Sequence, residues 1–187
     1  VQVFGDHNFR NLSAAQLVCE SLAISAADFW SAIADFKGAS KRMELLASED
    51  DTFIYLDFAH APSKVEAAVK AVRDRFPKHQ ITACLELHTF SSLPKALLKD
   101  YAGAMDPADE AMVFYSPHTI KMKRLEAIAQ KDIMEAFQRK DLQVFTQKEA
   151  LKEKVEASEK ENRIYLLMSS GKFGGWDVRE WSKAYLG

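Results

Sequence analysis

Four apolar runs in this sequence of 187 residues each end in side chains that could bind a ligand or exchange protons. The segments that follow them are Asp57–His60, Glu86–Thr89, Ser116–His118 and Ser169–Gly175. If the runs are strands of an open α/β sheet, ligands bind outside their carboxyl ends. We therefore expect these carboxylates, imidazoles, hydroxyls and glycines to line one rim, although polar residues also end strands that have no function.

The Gly-rich turn, Ser169–Gly175, fits no common phosphate motif. It matches neither the G-x-G-x-x-G fingerprint of dinucleotide sites nor the Walker A loop, G-x-x-x-x-G-K-[ST]. Its backbone N–H groups precede a helix, and such groups suit an anion. An ordinary strand-to-helix turn explains the same residues equally well, so both interpretations stay open.

Two kinds of catalytic site have weak support. His60, His88 and His118 could hold a metal ion only if the fold brought them together, because their spacing follows no local ligand pattern. A Ser-His-Asp hydrolase is disfavoured because the sequence has no G-x-S-x-G elbow. We expect no metal site and assign no catalytic residue in this chain.

Composition restricts the class of protein. The chain has 27 acidic against 25 basic side chains, a net charge of −2 and 48% apolar residues. Near-neutral charge without a basic block argues against nucleic-acid binding. The low-charge stretch Asn11–Ala27 is interrupted by Glu20, so we expect no membrane span. Only two cysteines, both in apolar stretches, indicate a reducing, cytoplasmic setting.

Alternating strand and helix patterns predict a Rossmann-like α/β fold, an open and mainly parallel sheet with helices on both faces. We predict strands at Phe53–Asp57, Ile81–Leu85, Ala111–Tyr115, Leu142–Phe145 and Arg163–Met168. We predict helices at Ser63–Phe76, Pro94–Tyr101, Leu125–Arg139, Lys148–Lys160 and after Trp176. A further strand at Arg42–Ala47 would pair antiparallel with Phe53–Leu56.

A short helical piece precedes the sheet. Apolar residues recur at helical spacing over Leu12–Leu22, and Ser25 is the expected N-cap of a second helix over Ala26–Phe36. Lys37–Ser40 contains Gly38 and is the expected linker. The chain opens in the middle of a strand-like pattern, which favours a piece of a longer protein.

Four segments, in order, resemble the ATP-dependent Mur ligases of peptidoglycan synthesis. Gly5–Ala15 is similar to G-x-H-N-x-x-N-x-x-A-A near the end of the central ATPase domain, and Lys41–Glu44 to the K-R-x-E stretch that opens the C-terminal domain. Asp57–Pro62 is similar to D-[FY]-A-H-H-P of the muramate-binding members. Met168–Gly175 looks like the S-N-G-G-F-G-G turn of the murein peptide ligases, which join L-alanyl-γ-D-glutamyl-diaminopimelate to UDP-N-acetylmuramate.

The resemblance implies two domains and an incomplete enzyme. Residues 1–38 match the tail of the central ATPase domain, and residues 39–187 match the Rossmann-like C-terminal domain. The UDP-sugar-binding N-terminal domain and the central P-loop, with its Mg²⁺ ligands, match nothing in these residues. Those missing domains would be partners of this chain, and the isolated fragment should be inactive.

The resemblance also implies ATP and Mg²⁺ as cofactors, and UDP-N-acetylmuramate with a murein tripeptide or related amine as substrates. Residues matched to the nucleotide site, around adenine, phosphates and ribose respectively, are His7, Asn8 and Asn11, then Arg42, then Asp57 with His60. Residues matched to the amine site are Glu86, His88, Thr89, Ser169, Ser170, Lys172 and Phe173. The full enzyme would activate the muramate carboxylate as an acyl phosphate, and this domain would position the amine and close over ATP.

Three departures concern specificity. Ala61 replaces the second histidine of A-H-H-P, His88 and Thr89 stand where relatives often carry an arginine, and Lys172 replaces a glycine. Histidine is a weaker fixed-charge partner for carboxylates than arginine, so the identity of the peptide stays open. The alternative function is a stand-alone Rossmann-like module that binds a nucleotide or cell-wall peptide without catalysis. A G-K-[ST] loop upstream in the reading frame would favour the ligase, and an upstream stop codon would favour the module.

Overall fold

The apolar runs form one six-stranded sheet with helices on both faces, in a computed structural model that describes residue 1 and residues 3–187. The strands are β1 (Glu44–Glu49), β2 (Thr52–Asp57), β3 (Gln80–Leu87), β4 (Glu110–Tyr115), β5 (Gln143–Phe145) and β6 (Arg163–Met168). The helices are α1 (Asp6–Ser21), α2 (Ala26–Ala32), α3 (Pro62–Arg75), α4 (Lys95–Leu98), α5 (Pro117–Met122), α6 (Gln130–Phe137), α7 (Lys148–Glu156) and α8 (Val178–Leu186). Short 3₁₀ turns lie at Lys99–Tyr101 and Phe173–Gly175.

The strand order is β1-β2-β6-β3-β4-β5, and only β1 runs antiparallel to its neighbour. The predicted fold class and the antiparallel β1–β2 pair are therefore confirmed. Strand β6 lies between β2 and β3, and its last residue, Met168, is in register with both Asp57 and Leu85. The residues that follow these three strands consequently begin side by side at one edge of the sheet.

The central strands are buried on both faces, as continuous apolar runs require. Successive side chains of β6 alternate between two layers: Ile164 and Leu166 join the cluster beneath α3 and α6, whereas Tyr165 and Leu167 join the cluster beneath α7 and α8. This period-two alternation continues to the rim. Asp57 thus faces the α3 layer and Glu86 the α7–α8 layer.

The predicted helix at Leu125–Arg139 is wrong in its first part. Helix α5 begins earlier, at Pro117, because Ser116 caps it through the backbone N–H of Thr119 and proline suits the first helical position. The chain then leaves the helix at Arg124, which has a φ of 55°. Helix α6 starts only at Gln130, where Asp132 accepts a hydrogen bond from the Ala129 N–H.

Both N-terminal helices form, but α1 begins at Asp6, before the Leu12–Leu22 pattern, and α2 is shorter than expected. Ser25 caps α2 by accepting a hydrogen bond from the Asp28 N–H, and the helix ends at Ala32 rather than Phe36. Gly5 has a φ of 91°, and a Cβ at this position would come within 2.8 Å of the Ala71 Cβ. This close approach places the start of α1 against α3. No helix in the described part of the chain is long and apolar enough to cross a membrane.

Candidate functional site

A buried carboxylate at the end of β2 fixes the linker, which in the structure extends from Lys37 to Met43, directly before β1. Asp57 is 5% exposed. Its Oδ2 accepts the Met43 N–H at 2.7 Å, and its Oδ1 accepts the Ala59 N–H at 2.7 Å. Met43 is buried and has a φ of 48°, so its N–H is turned toward the strand end by a backbone conformation that few non-glycine residues adopt. Asp57 therefore holds both the linker and the loop after β2.

A second carboxylate, Glu44, holds the linker from the other side. The Arg179 guanidinium donates to Oε1 and Oε2 of Glu44 at 2.6 and 2.7 Å, and the Lys41 N–H donates to Oε2 at 2.7 Å. These donors stabilise the ionised form, with the Arg179 hydrogen bond the largest effect, and lower the pKa of Glu44 to about 2. The start of α8 is thereby tied to the linker.

Five of the residues matched to the nucleotide site line one groove of about 480 Å³: His7, Asn8, Asn11, Arg42 and Asp57. They come from three separate segments, namely α1, the linker and the end of β2. Helix α3 closes the other wall with Ser63, Lys64 and Ala67. The fold thus brings together groups that lie far apart in the sequence.

The groove presents amide, cationic and acidic groups to a ligand. Asn8 is buried and donates through Nδ2 to the Phe4 carbonyl at 2.9 Å, whereas Asn11 is exposed. The Arg42 guanidinium lies 5.2 Å from the centroid of the Phe58 ring and is exposed. Arg42 and the exposed Lys64 can together meet an anion, and the amides can bond a heterocycle. This set of groups fits a nucleotide.

His60, also matched to the nucleotide site, does not line the groove. Its Nδ1 lies 2.9 Å from the Phe58 carbonyl oxygen, and its ring packs edge-on to Phe58 at 5.3 Å. Tyr101 donates its hydroxyl to the His60 carbonyl. His60 therefore supports the aromatic ring on which Arg42 lies.

Three residues matched to the amine substrate have buried side chains. Glu86 is 3% exposed, and its carboxylate accepts hydrogen bonds from the Ser169 hydroxyl and from the N–H groups of Phe173 and Gly174. Ser169 and Phe173 are also buried. These three side chains shape the turn, and Ser169 and Phe173 also line the cavity beside it. Their place at the amine site stays a prediction.

The outer residues of the turn line a second cavity, of about 350 Å³, on the α8 side of the rim. Lys172 is exposed there, and Lys41 donates through Nζ to the Gly171 carbonyl at 3.2 Å. Arg179 lies at the same wall. His88 and Thr89 are half-buried nearby, and their N–H groups both donate to the Ser92 hydroxyl.

Sequence reasoning missed three cations of these cavities, Lys41, Lys64 and Arg179. Lys41 lies inside the K-R-x-E segment, and Lys64 lies two residues after the Asp57–Pro62 segment. Their closeness to these motifs was the signal that could have identified them as residues of the site. Arg179 had none, because its partner Glu44 is 135 residues away. Ser170 is half-buried, and its enclosed hydroxyl oxygen has no hydrogen-bond partner within the described residues.

The three histidines of the metal hypothesis do not converge. Within residues 1 and 3–187, no group of three or more His, Cys, Asp or Glu side chains is arranged to hold a metal ion. His118 lies exposed on α5, while His60 packs on Phe58. The geometry thus gives this hypothesis no support.

The fold and the rim define the chain as a Rossmann-like domain with a polar groove on one face of its sheet edge and a cationic cavity on the other. Residues 41–171 match the family described as "Mur ligase, glutamate ligase domain". Because the match covers more than half of the chain, the chain belongs to the Mur ligase family. The matched part corresponds to the C-terminal domain of these ligases.

Relatives with similar sequences are UDP-N-acetylmuramate–L-alanine ligases. The protein of Roseiflexus castenholzii is 35% identical over 109 residues, which cover 58% of this chain and 23% of the relative. That of Caldicellulosiruptor saccharolyticus is 31% identical over 131 residues, or 70% of this chain and 28% of the relative. The chain thus spans about a quarter of the length of these relatives.

Solved structures share the fold at low identity. The UDP-N-acetylmuramate–alanine ligase of Thermotoga maritima has a TM-score of 0.76 at 22% identity, covering 98% of this chain and 38% of that one. The murein peptide ligase of Psychrobacter arcticus has a TM-score of 0.63 at 20% identity, covering 98% and 37%. A MurF ligase of Thermotoga maritima, solved in complex with ADP, has a TM-score of 0.65 at 15% identity, covering 97% and 39%. These structures share the fold over 97 to 98% of this chain, which is more than the family match covers.

The Glu44–Arg179 pair predicts an acid-sensitive contribution to stability. A depressed folded-state pKa stabilises the fold above the unfolded value of 4.5, and this contribution is lost as pH falls toward about 2. Arg179→Gln should therefore lower the free energy of unfolding by about 1 kcal/mol near neutral pH, and by almost nothing at the acid end of that window. Urea titrations at a series of pH values measure the difference.

The matched control is Lys131→Gln, which removes an exposed pair with Glu135 on a helix surface. This change should lower stability by less than about 0.5 kcal/mol at every pH. A difference between Arg179→Gln and the parent chain that does not vary with pH would contradict the assignment.

Proposed function

We propose that the chain is the C-terminal part of an ATP-dependent ligase that joins the amine of a murein peptide or amino acid to UDP-N-acetylmuramate, in peptidoglycan synthesis or recycling. The observation that carries this proposal is the groove of His7, Asn8, Asn11, Arg42 and Asp57. Family membership and the groove's mixture of amides, cations and a carboxylate support a nucleotide as its ligand. The protein would act in the cytoplasm, where both ATP and a nucleotide-linked muramate occur.

The proposal divides the chain at the linker. Residues 1–38 would be the end of a central ATPase domain, and residues 39–187 the C-terminal domain. The exposed apolar side chains at the end of α1 and just after it support this division, since Leu17, Val18 and Leu22 are 65, 60 and 69% exposed. Such a stripe on one helix needs a covering partner in a stable protein. We assign that partner to a domain preceding Val1.

The chain's residues would bind and orient rather than transfer protons. ATP with Mg²⁺, held mainly by the preceding domain, would supply the phosphoryl group that activates the muramate carboxylate. The amides of Asn8 and Asn11, with His7, would contact the base, and Arg42 would lie toward the phosphates. Asp57 would meet the ribose with the lone pairs left free by its two backbone donors. Closing the rim over the reacting groups would provide proximity and exclude water.

The amine substrate would approach the outer residues of the turn. Lys172, Ser170 and Thr89 are accessible or half-buried there, and His88 lies beside them. The resemblance of Met168–Gly175 to the murein peptide ligases favours the tripeptide L-alanyl-γ-D-glutamyl-diaminopimelate, whose carboxylates could meet Lys172. L-alanine is the second candidate, because the relatives at 31 to 35% identity are L-alanine ligases.

The direct test uses the longer protein that contains this chain, with ATP, Mg²⁺ and UDP-N-acetylmuramate. ADP release should depend on the added amine, and mass spectrometry of the product should distinguish the tripeptide from L-alanine. The 187-residue chain alone is the control and should release no ADP. Absence of ADP release with either amine would contradict the ligase, and nucleotide binding without turnover would instead support the stand-alone module.

Arg42→Ala should raise the KM for ATP in the longer protein about tenfold, because a charge-assisted contact to a phosphate contributes about 1.5 kcal/mol or more. Steady-state ADP release at varied ATP concentration measures the effect. Lys140→Ala is the matched control, since this exposed cation does not line the groove, and it should leave the KM unchanged. Equal KM values for Arg42→Ala and the parent protein would refute the role of Arg42.

Replacing Leu17, Val18 and Leu22 together with Gln tests the domain division. In the 187-residue chain, this change should alter the free energy of unfolding by less than about 0.5 kcal/mol, because the side chains are exposed. In the longer protein it should cost at least about 3 kcal/mol, because the same side chains would be buried. Met122→Gln, at an equally exposed apolar position, should be neutral in both. An equally small effect of the triple change in both proteins would contradict the division.

A further inference from the structure

The buried carboxylate of Glu86 accepts hydrogen bonds from groups that all belong to the turn after β6. The Phe173 N–H donates to Oε2 at 2.8 Å, the Gly174 N–H donates to Oε1 at 3.1 Å, and the Ser169 hydroxyl donates to Oε2. The Gly171 N–H in turn donates to the Ser169 hydroxyl oxygen at 2.7 Å. One side chain of β3 thus organises six successive residues of another strand's end.

The backbone of the turn favours a negatively charged group such as the Glu86 carboxylate. Phe173 and Gly174 have φ values of 45° and 63°, and successive N–H groups in such a backbone point into one concavity that favours negative charge. An unpaired buried N–H costs about 1–3 kcal/mol. Glu86 fills the concavity from inside the protein. The N–H groups of Gly171, Phe173 and Gly174 are therefore occupied within the protein and are not free to bind an external anion.

Packing leaves the turn little room for another position. A Cβ on Gly171 would come within 2.7 Å of the Glu86 Oε2 and 3.0 Å of the His88 ring. A Cβ on Gly174 would come within 2.9 Å of the Phe114 ring. The turn lies directly against the ends of β3 and β4, and Gly171 fits only because it lacks a side chain.

We infer that Glu86 is a positioning residue for the amine site. By holding Ser169, Phe173 and Gly174, it fixes the outer residues Ser170, Gly171 and Lys172 at one distance from His88, and it keeps the Gly171 carbonyl in place for Lys41. The expected consequence, that the turn presents the amine substrate correctly, rests on the proposed function. The statement that Glu86 holds the turn does not depend on that function and can be tested in the 187-residue chain.

Amide hydrogen exchange of the 187-residue chain, followed by NMR, tests the structural part. Glu86→Gln keeps the shape of the side chain but replaces one acceptor oxygen by an N–H₂ group, which faces a backbone N–H. We expect the Phe173 and Gly174 amides to exchange at least about tenfold faster, with the amides inside β6 unchanged. Ser169→Ala, which removes one donor and leaves the carboxylate, should produce a smaller increase and serves if Glu86→Gln folds poorly.

Glu110→Gln is the matched control. Glu110 is a partly buried carboxylate at the opposite end of β4, where it pairs with Arg163 and accepts from Thr82 and Ser158. Its loss should destabilise the chain without selectively releasing the turn. Unchanged exchange at Phe173 and Gly174 in Glu86→Gln, or the same selective release in Glu110→Gln, would overturn the inference.

Kinetics of the longer protein test the positioning role. Glu86→Gln should raise the KM for the amine substrate at least about fivefold, with the KM for ATP unchanged, whereas Glu110→Gln should alter neither constant. Equal amine KM values in the parent and Glu86→Gln proteins would refute the role. If no amine supports ADP release, the proposed function fails, while the exchange experiment still decides whether Glu86 holds the turn.

Discussion

Two buried carboxylates, on the strands that flank β6 on either side, hold the rim of the sheet together. Asp57 and Glu86 accept hydrogen bonds from backbone N–H groups, and Glu86 also from a hydroxyl. Burial makes these bonds necessary, since donors and acceptors removed from water are costly when unpaired. The register of β2, β6 and β3 brings the ends of these strands close together, because Met168 pairs with Asp57 on one side and Leu85 on the other. A linker and a turn that would otherwise be loose are thereby fixed to the sheet.

The linker connects the two faces of the rim. Lys41 extends to the Gly171 carbonyl on the α8 side, Arg42 lies over Phe58 on the side of the groove, and Met43 is buried with its N–H on Asp57. Glu44 then closes on Arg179. Four consecutive residues, Lys41–Glu44, thus join the polar groove to the cavity beside the turn. In a ligase, this arrangement would let one movement of the domain bring both sites to the reacting groups together.

Much of this arrangement follows from sequence patterns that are local. Continuous apolar runs predicted β2, β3, β4 and β6, and the strand-end rule predicted that their polar successors share one edge. The error at Leu125–Arg139 arose because apolar spacing continues across the irregular segment after Arg124, whereas the capping residues Ser116 and Asp132 decide where the helices start. The outward or inward direction of Glu86, Ser169 and Phe173 was not predictable, because it depends on the turn's positive φ values and on packing between distant strands. The pair Glu44–Arg179 was equally inaccessible, since no motif links residues so far apart.

We propose that one rim carries a nucleotide on its α1–α3 face and the amine substrate on its turn face. The most direct measurement is a crystal structure of the longer protein with ADP and the amine that supports turnover. We expect the ADP to lie in the groove of His7, Asn11 and Arg42, and the amine substrate to lie against Lys172 with Glu86 still bonded beneath the turn. ADP bound away from the groove, or an amine bound elsewhere than at the turn, would contradict the account.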